Sequence, residues 1–175
     1  MKLSGWSNTT VIADVLTMSR MVIAVALIPI VWSLSLGLAA LMVSIAWLTD
    51  LLDGRLARAA GREGRLGSWD LRADTAVGAG LLIGLTGSGT IPIWFSASAL
   101  ILFGGLFLAG NWAASMLLQL AGYLPLISAL WSERPTGWWL PIFTVILIGI
   151  LDWRRLLVVN IPNFVRGLSG RAERR

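Results

Sequence analysis

The sequence predicts an all-α, polytopic membrane protein with six transmembrane helices and both termini in the cytoplasm. Three observations carry this prediction. First, 57% of the 175 residues are hydrophobic, the mean hydropathy is +0.79, and the 13% that are charged are too few to build a soluble surface. Second, the apolar residues fall in runs long enough to cross about 30 Å of hydrocarbon, which takes about 20 residues. Third, the arginines gather in two places that an even number of runs separates.

Span one reads as about 17–34, span two as about 38–57 and span three as about 69–86. The run from Thr90 to Trp131 carries no charge. As one helix it would be roughly 60 Å long, about twice the bilayer core. It is therefore expected to break at Ala109-Gly110-Asn111 into spans four and five; a break at Gly122 to Pro125 would leave a poor fifth span. Span six reads as about 137–153, with Trp138, Trp139 and Trp153 as interface anchors. The whole chain, 1–175, is expected to form one domain, with a basic tail over about 154–175 that mixes apolar and basic residues and suits a membrane surface. The polar start and the length of the first apolar run lead us to expect no cleavable signal.

Charge placement fixes the expected orientation. The connection between spans two and three holds Arg55, Arg58, Arg62, Arg65 and Arg72, and the tail holds Arg154, Arg155, Arg166, Arg171, Arg174 and Arg175. The segments 34–37 and 87–91 are uncharged, and 132–136 has only Glu133 and Arg134. Positive-inside logic puts the first connection and the tail in the cytoplasm, and the four spans between them agree. The net charge of +5 needs no nucleic acid, because arginines beside anionic headgroups account for it. The expected location is a bacterial cytoplasmic membrane, with the functional site on its cytoplasmic side.

The chain has no cysteine and no histidine. Disulfides, thiolate or imidazole metal sites and histidine bases are all excluded. A metal would have to be held by oxygen, and a carboxylate is the obvious base.

Four of the six aspartates lie between Thr49 and Asp74. Asp50 and Asp53 are three apart at the end of span two, and Asp70 and Asp74 are four apart at the start of span three. Both spacings keep a pair on one helix face. A short loop joins the spans, so all four carboxylates can converge at one depth. Such a cluster needs a counter-charge near lipid. Mg²⁺ or Mn²⁺, as two divalent ions, suit an all-carboxylate site and phosphoryl chemistry. Pairing with the loop arginines is the simpler alternative. Gly54, inside a helix, would admit a ligand or a neighbouring backbone, and Arg58 could reach a phosphate.

The pattern Asp50-x2-Asp53-Gly54-x2-Ala57-Arg58-x8-Gly67-x2-Asp70-x3-Asp74 resembles the signature of the CDP-alcohol phosphatidyltransferases, membrane enzymes of phospholipid synthesis. The stretch Leu16-Thr17-Met18-Ser19-Arg20 and the later Ile28-Pro29 are similar to the family's usual opening. The family has three residues before its third aspartate where this chain has two, Ser68 and Trp69. A helix starting at Gly67 would turn Asp70 and Asp74 by about 100°; a later start would let the loop absorb the change, which the intact aspartate pair favours.

The resemblance implies transfer of a phosphatidyl-type group from a CDP-linked lipid such as CDP-diacylglycerol to an alcohol, with release of CMP. It implies that Asp50, Asp53, Asp70 and Asp74 hold the metals and that Asp74 takes the acceptor's proton. It places Asp50, Gly54, Ala57 and Arg58 at the CDP donor. Spans four and five have no basic residue, so Arg20, Arg72, Arg154 and Arg155 are the remaining candidates to meet an acceptor phosphate, with Arg20 and Arg72 the expected acceptor-binding residues. That lack favours a neutral or lipid alcohol over a phosphorylated one. Gly80-x3-Gly84 and Gly104-Gly105 suit close helix packing, within one protomer or in a homodimer, which is usual in the family. Asp14 reads as a helix-start residue, and Asp152 as an interfacial ion group beside Arg154 and Arg155. The competing readings are a divalent-cation transporter, an aspartate-rich membrane prenyltransferase and a non-catalytic family member.

Overall fold

The computed structural model describes residues 8–60, 66, 69–133 and 137–168. The described residues are helical with turns between, and contain no strand. Helix α1 spans Asn8–Trp32 and α2 spans Leu36–Ala60. Helix α3 spans Asp70–Gly87, α4 Ile93–Leu108, α5 Trp112–Glu133 and α6 Trp139–Leu151. A helical tail covers 153–168 and ends in Ile161–Leu168.

Among the described residues, three segments are long and apolar enough to cross a membrane: Val11–Trp32, Leu36–Leu56 and Trp112–Ser132. Helices α4 and α6 are shorter and apolar, and α3 carries Asp70, Arg72 and Asp74 in its first turns. The chain breaks at 109–111, where Gly110 has φ +95°. A side chain rarely adopts that conformation, so glycine there lets α5 start afresh. Asn111 Oδ1 accepts the Ala113 N–H at 3.0 Å and caps the new helix. Pro125 lies inside α5.

Helix α1 is the centre of the bundle, packed on both α2 and α3; α5 packs on the other side of α3, and α6 lies on α2. Leu27, Val31, Leu81, Leu82, Leu85, Leu118, Leu126 and Leu130 are buried between these helices. The α1–α3 seam is close because α3 lacks side chains there. A Cβ on Gly80 would lie 2.2 Å from the Ala24 carbonyl oxygen, and one on Gly84 would lie 2.8 Å from Val31 Cβ. The outer face of α4 is open instead: Ile101 is 77% and Leu108 86% exposed.

Helix α1 begins about nine residues before the expected span, because a helix continues past the hydrocarbon edge where its backbone still hydrogen-bonds. Asp14 therefore lies inside α1 and does not start it. Its Oδ1 accepts the Leu66 N–H at 2.8 Å and ties the α2–α3 connection to α1. Trp131, Trp138 and Trp139 stack in sequence, with centroids 4.8 and 4.1 Å apart, between α5 and α6. Arg62, Arg65, Gly67, Arg134, Arg171, Arg174 and Arg175 lie outside the described residues.

Candidate active site

The site forms where the ends of α2 and α3 meet one turn of α1. Asp50 and Asp53 stand on one face of α2. Asp70 opens α3, and Asp74 follows one turn later. Helix α3 starts at Asp70, so Asp70 and Asp74 lie on one helix face; Gly67 and Ser68, where the spacer is one residue short, lie outside the described residues. An aspartate in a first helical turn is also favoured by the N–H groups exposed there. Asp50, Asp70 and Asp74 each present a carboxylate oxygen within 4.8 Å of the other two.

Arg20 of α1 stands among all four carboxylates and is fully buried. Its Nη1 donates to Asp50 Oδ1 at 3.0 Å and to Asp74 Oδ1 at 2.5 Å. Its Nη2 donates to Asp53 Oδ2 at 2.9 Å and to Asp70 Oδ1. Among the described residues, the arginine that meets all four aspartates is thus Arg20 of span one. Exposure falls from Asp50, whose side chain is 48% exposed, to Asp53 at 11%. Asp53 also accepts the Thr17 hydroxyl at 3.1 Å. Thr17 and Arg20 are three apart on α1 and face the cluster together.

The remaining expected residues are less gathered. Gly54 is half-buried on α2, and the side chain of Ala57 lies outside the described residues. Arg58 is exposed, and its Nη2 meets Asp152 Oδ2 at 3.5 Å. One turn earlier, Arg55 Nη2 donates to the Leu151 carbonyl at 2.8 Å, at the C-terminal end of α6. Asp152 thus faces α2, where the sequence suggested only its neighbours Arg154 and Arg155. Arg72 is exposed, with its guanidinium 4.7 Å from the centroid of the Trp69 ring. Sequence reasoning gave no individual role to Thr17 and missed the Asp14–Leu66 tie. The i, i+3 spacing of Thr17 and Arg20 was the available signal. The α3–α5 link of Thr75, Ser115 and Gln119 had none, because it joins residues 40 apart.

Carboxylates and a buried guanidinium at the ends of apolar helices define an acidic site suited to a hard cation and to phosphate chemistry. The chain belongs to the CDP-alcohol phosphatidyltransferase family, whose model matches residues 10–118, more than half its length, including Arg20 and the four clustered aspartates. No curated protein and no solved structure matches the chain. The family comprises transferases for substituted phosphate groups in phospholipid synthesis, with a CDP-alcohol donor and an alcohol acceptor, and it generally uses divalent metals.

Proposed function

We propose that the chain is a metal-dependent transferase that moves a phosphatidyl group from CDP-diacylglycerol to an alcohol and releases CMP. The observation that carries this reading is the convergence of Asp50, Asp70 and Asp74, with carboxylate oxygens within 4.8 Å of one another. The donor set is all oxygen and anionic, which fits Mg²⁺ or Mn²⁺. Asp50, Asp70 and Asp74, with Asp53 beside them, would hold two such ions. When bound, they supply positive charge against the donor pyrophosphate and the departing CMP.

The chain's own residues do the rest. Asp74 takes the proton of the acceptor hydroxyl, whose oxygen then bonds to the lipid-side phosphorus. The bond from that phosphorus to the CMP oxygen breaks, and CMP leaves with the electron pair. A carboxylate fills this role because the chain has no histidine. Asp50, Gly54, Ala57 and Arg58 line the donor's nucleotide and phosphates. Arg20 and Arg72 are the basic groups nearest the acceptor. The absence of basic residues from α4 and α5 favours an acceptor without a phosphate.

The chain works as a single domain with six spans, both termini and the site in the cytoplasm of a bacterial cell, and as a homodimer. Apolar helices and the arginine distribution support the topology. The test is CMP release from CDP-diacylglycerol by purified protein with Mg²⁺ or Mn²⁺, across a panel of alcohols. One alcohol should support metal-dependent release, and Asp74→Asn should lower it by about 10²–10⁴-fold. Release that Asp74→Asn leaves intact would remove Asp74 from the chemistry. No release with any alcohol from folded protein would sink the transferase reading.

A further inference from the structure

Arg20 uses its terminal nitrogens on four carboxylates and leaves one donor over. Nη1 bridges Asp50 and Asp74, and Nη2 bridges Asp53 and Asp70. A guanidinium has five N–H donors. The fifth, on Nε, is buried and has no hydrogen-bond partner. Among the described residues, the single positive charge of Arg20 meets all four carboxylates, and three of those, Asp50, Asp70 and Asp74, are the set close enough to share an ion. The guanidinium and a divalent cation draw on the same groups. These three carboxylates are part-exposed, so an added cation can reach them while the guanidinium stays buried.

The four carboxylates are not held alike. Asp53 has a second donor on α1, the Thr17 hydroxyl at 3.1 Å, and is the least exposed of the four. Asp50, the most exposed, meets Arg20 only through Nη1. Turning the guanidinium about the Asp53 contact would forfeit no hydrogen bond at Nε, because none is made there. It would release Nη1 from Asp50 and Asp74 and Nη2 from Asp70, while Nη2 stays beside Asp53.

We propose that Arg20 is an exchangeable counter-ion: its guanidinium holds the four aspartates together, and a divalent cation entering at Asp50, Asp70 and Asp74 displaces Nη1 from Asp50 and Asp74 and Nη2 from Asp70, leaving Nη2 on Asp53. The exchange rests on the reading of this cluster as the divalent site. It assigns Arg20 a role in metal entry, since the two cations compete for the same carboxylates.

The experiment uses the full chain in detergent, with Mn²⁺ binding measured by electron paramagnetic resonance and thermal unfolding followed in EDTA and in Mn²⁺. Competition predicts that Arg20→Gln binds Mn²⁺ more tightly than the original chain, on the order of fivefold or more. It also predicts a lowered unfolding midpoint in EDTA and a larger upward shift on adding Mn²⁺. Arg20→Lys, which keeps the positive charge, should bind Mn²⁺ less tightly than Arg20→Gln. Mn²⁺ affinity that Arg20→Gln leaves unchanged or weakens would overturn the exchange and leave the transferase reading standing. Arg20→Gln that fails to fold even in Mn²⁺ would also overturn it, because the ion is expected to replace the guanidinium. An original chain that binds no Mn²⁺ would overturn both the exchange and the metal-dependent reaction, whereas CMP release with Mn²⁺ tests the reaction alone.

Discussion

Gly80 and Gly84 on α3 and Gly104 and Gly105 on α4 carry the same sequence signal into opposite surroundings. On α3 a Cβ would run into α1, at 2.2 Å from the Ala24 carbonyl oxygen in the case of Gly80. On α4 a Cβ at either glycine would meet nothing within 4 Å. The α1–α3 seam positions the candidate site. Ala24 is one turn after Arg20, and Gly80 lies on the helix that carries Asp70 and Asp74. The distance between α1 and α3 therefore sets whether the guanidinium reaches those carboxylates. The outer face of α4 holds no such group and presents Trp94, Ile101 and Leu102 outward. Small residues in a membrane helix thus mark a close approach only where a partner helix is present.

The seam predicts the largest structural effect. Gly80→Ala would set a methyl group against backbone, which cannot rotate aside, so α1 and α3 would have to separate. We expect a loss of about 3 kcal/mol or failure to fold, read as the unfolding midpoint in detergent. CMP release should fall with it, because Arg20 and Asp74 would part. A midpoint within a degree of the original would show that the seam can open without cost and would break the comparison.

A smaller effect is expected where α3 meets α5. Gln119 Nε2 donates to Ser115 Oγ at 3.1 Å, Ser115 and Thr75 share a hydrogen bond at 2.7 Å, and Thr75 Oγ1 donates to the Leu71 carbonyl at 2.6 Å. If Thr75 gives its proton to Leu71, Ser115 must donate to Thr75 and accept from Gln119, which makes one directed chain. Ser115→Ala breaks both of its links in a site with no exposure. Polar contacts between membrane helices are worth about 0.6–1.7 kcal/mol each, so a loss of about 1 kcal/mol is expected. Thermal unfolding of Ser115→Ala beside Gly80→Ala ranks the two faces of α3. A larger loss at Ser115 would reverse the ranking.

The sequence made one side of the site readable and hid the other. Asp50, Asp53, Asp70 and Asp74 were legible because the i, i+3 and i, i+4 spacings and a short connection are local facts. The break at 109–111 was legible because an uncharged run of that length cannot cross the bilayer once. Arg20 was legible as a costly charge in an apolar run, yet its four partners were not, since they depend on how α1 packs across α3. The loop arginines were the alternative counter-charges in sequence; among the described residues, tertiary packing brings Arg20 to all four carboxylates. Asp14 was misread for a related reason: its partner, the Leu66 N–H, is 52 residues away. The pairing of Arg58 with Asp152 is another such link, joining α2 to a residue beyond the family match.

The smallest effect belongs to α4 and gives the sharpest test of the comparison. Gly105→Ala adds a methyl group to open space and removes a flexible residue from a helix interior. Helix propensity alone would then favour the alanine by up to about 1 kcal/mol. Gly105 follows a π-helical stretch, Leu100–Gly104, whose looser turn already departs from ideal geometry, so part of that gain is expected to be lost. The midpoint of Gly105→Ala should therefore stay level or rise slightly, with CMP release unchanged. Gly105→Leu extends the same test, since a bulky side chain on a lipid-facing helix costs little within one protomer. If Gly105→Leu leaves the midpoint alone but converts dimer to monomer in light scattering, the open face of α4 is where two copies meet. If both substitutions lower the midpoint as far as Gly80→Ala does, α4 is packed against another element of the same chain, and the two glycine pairs are alike after all.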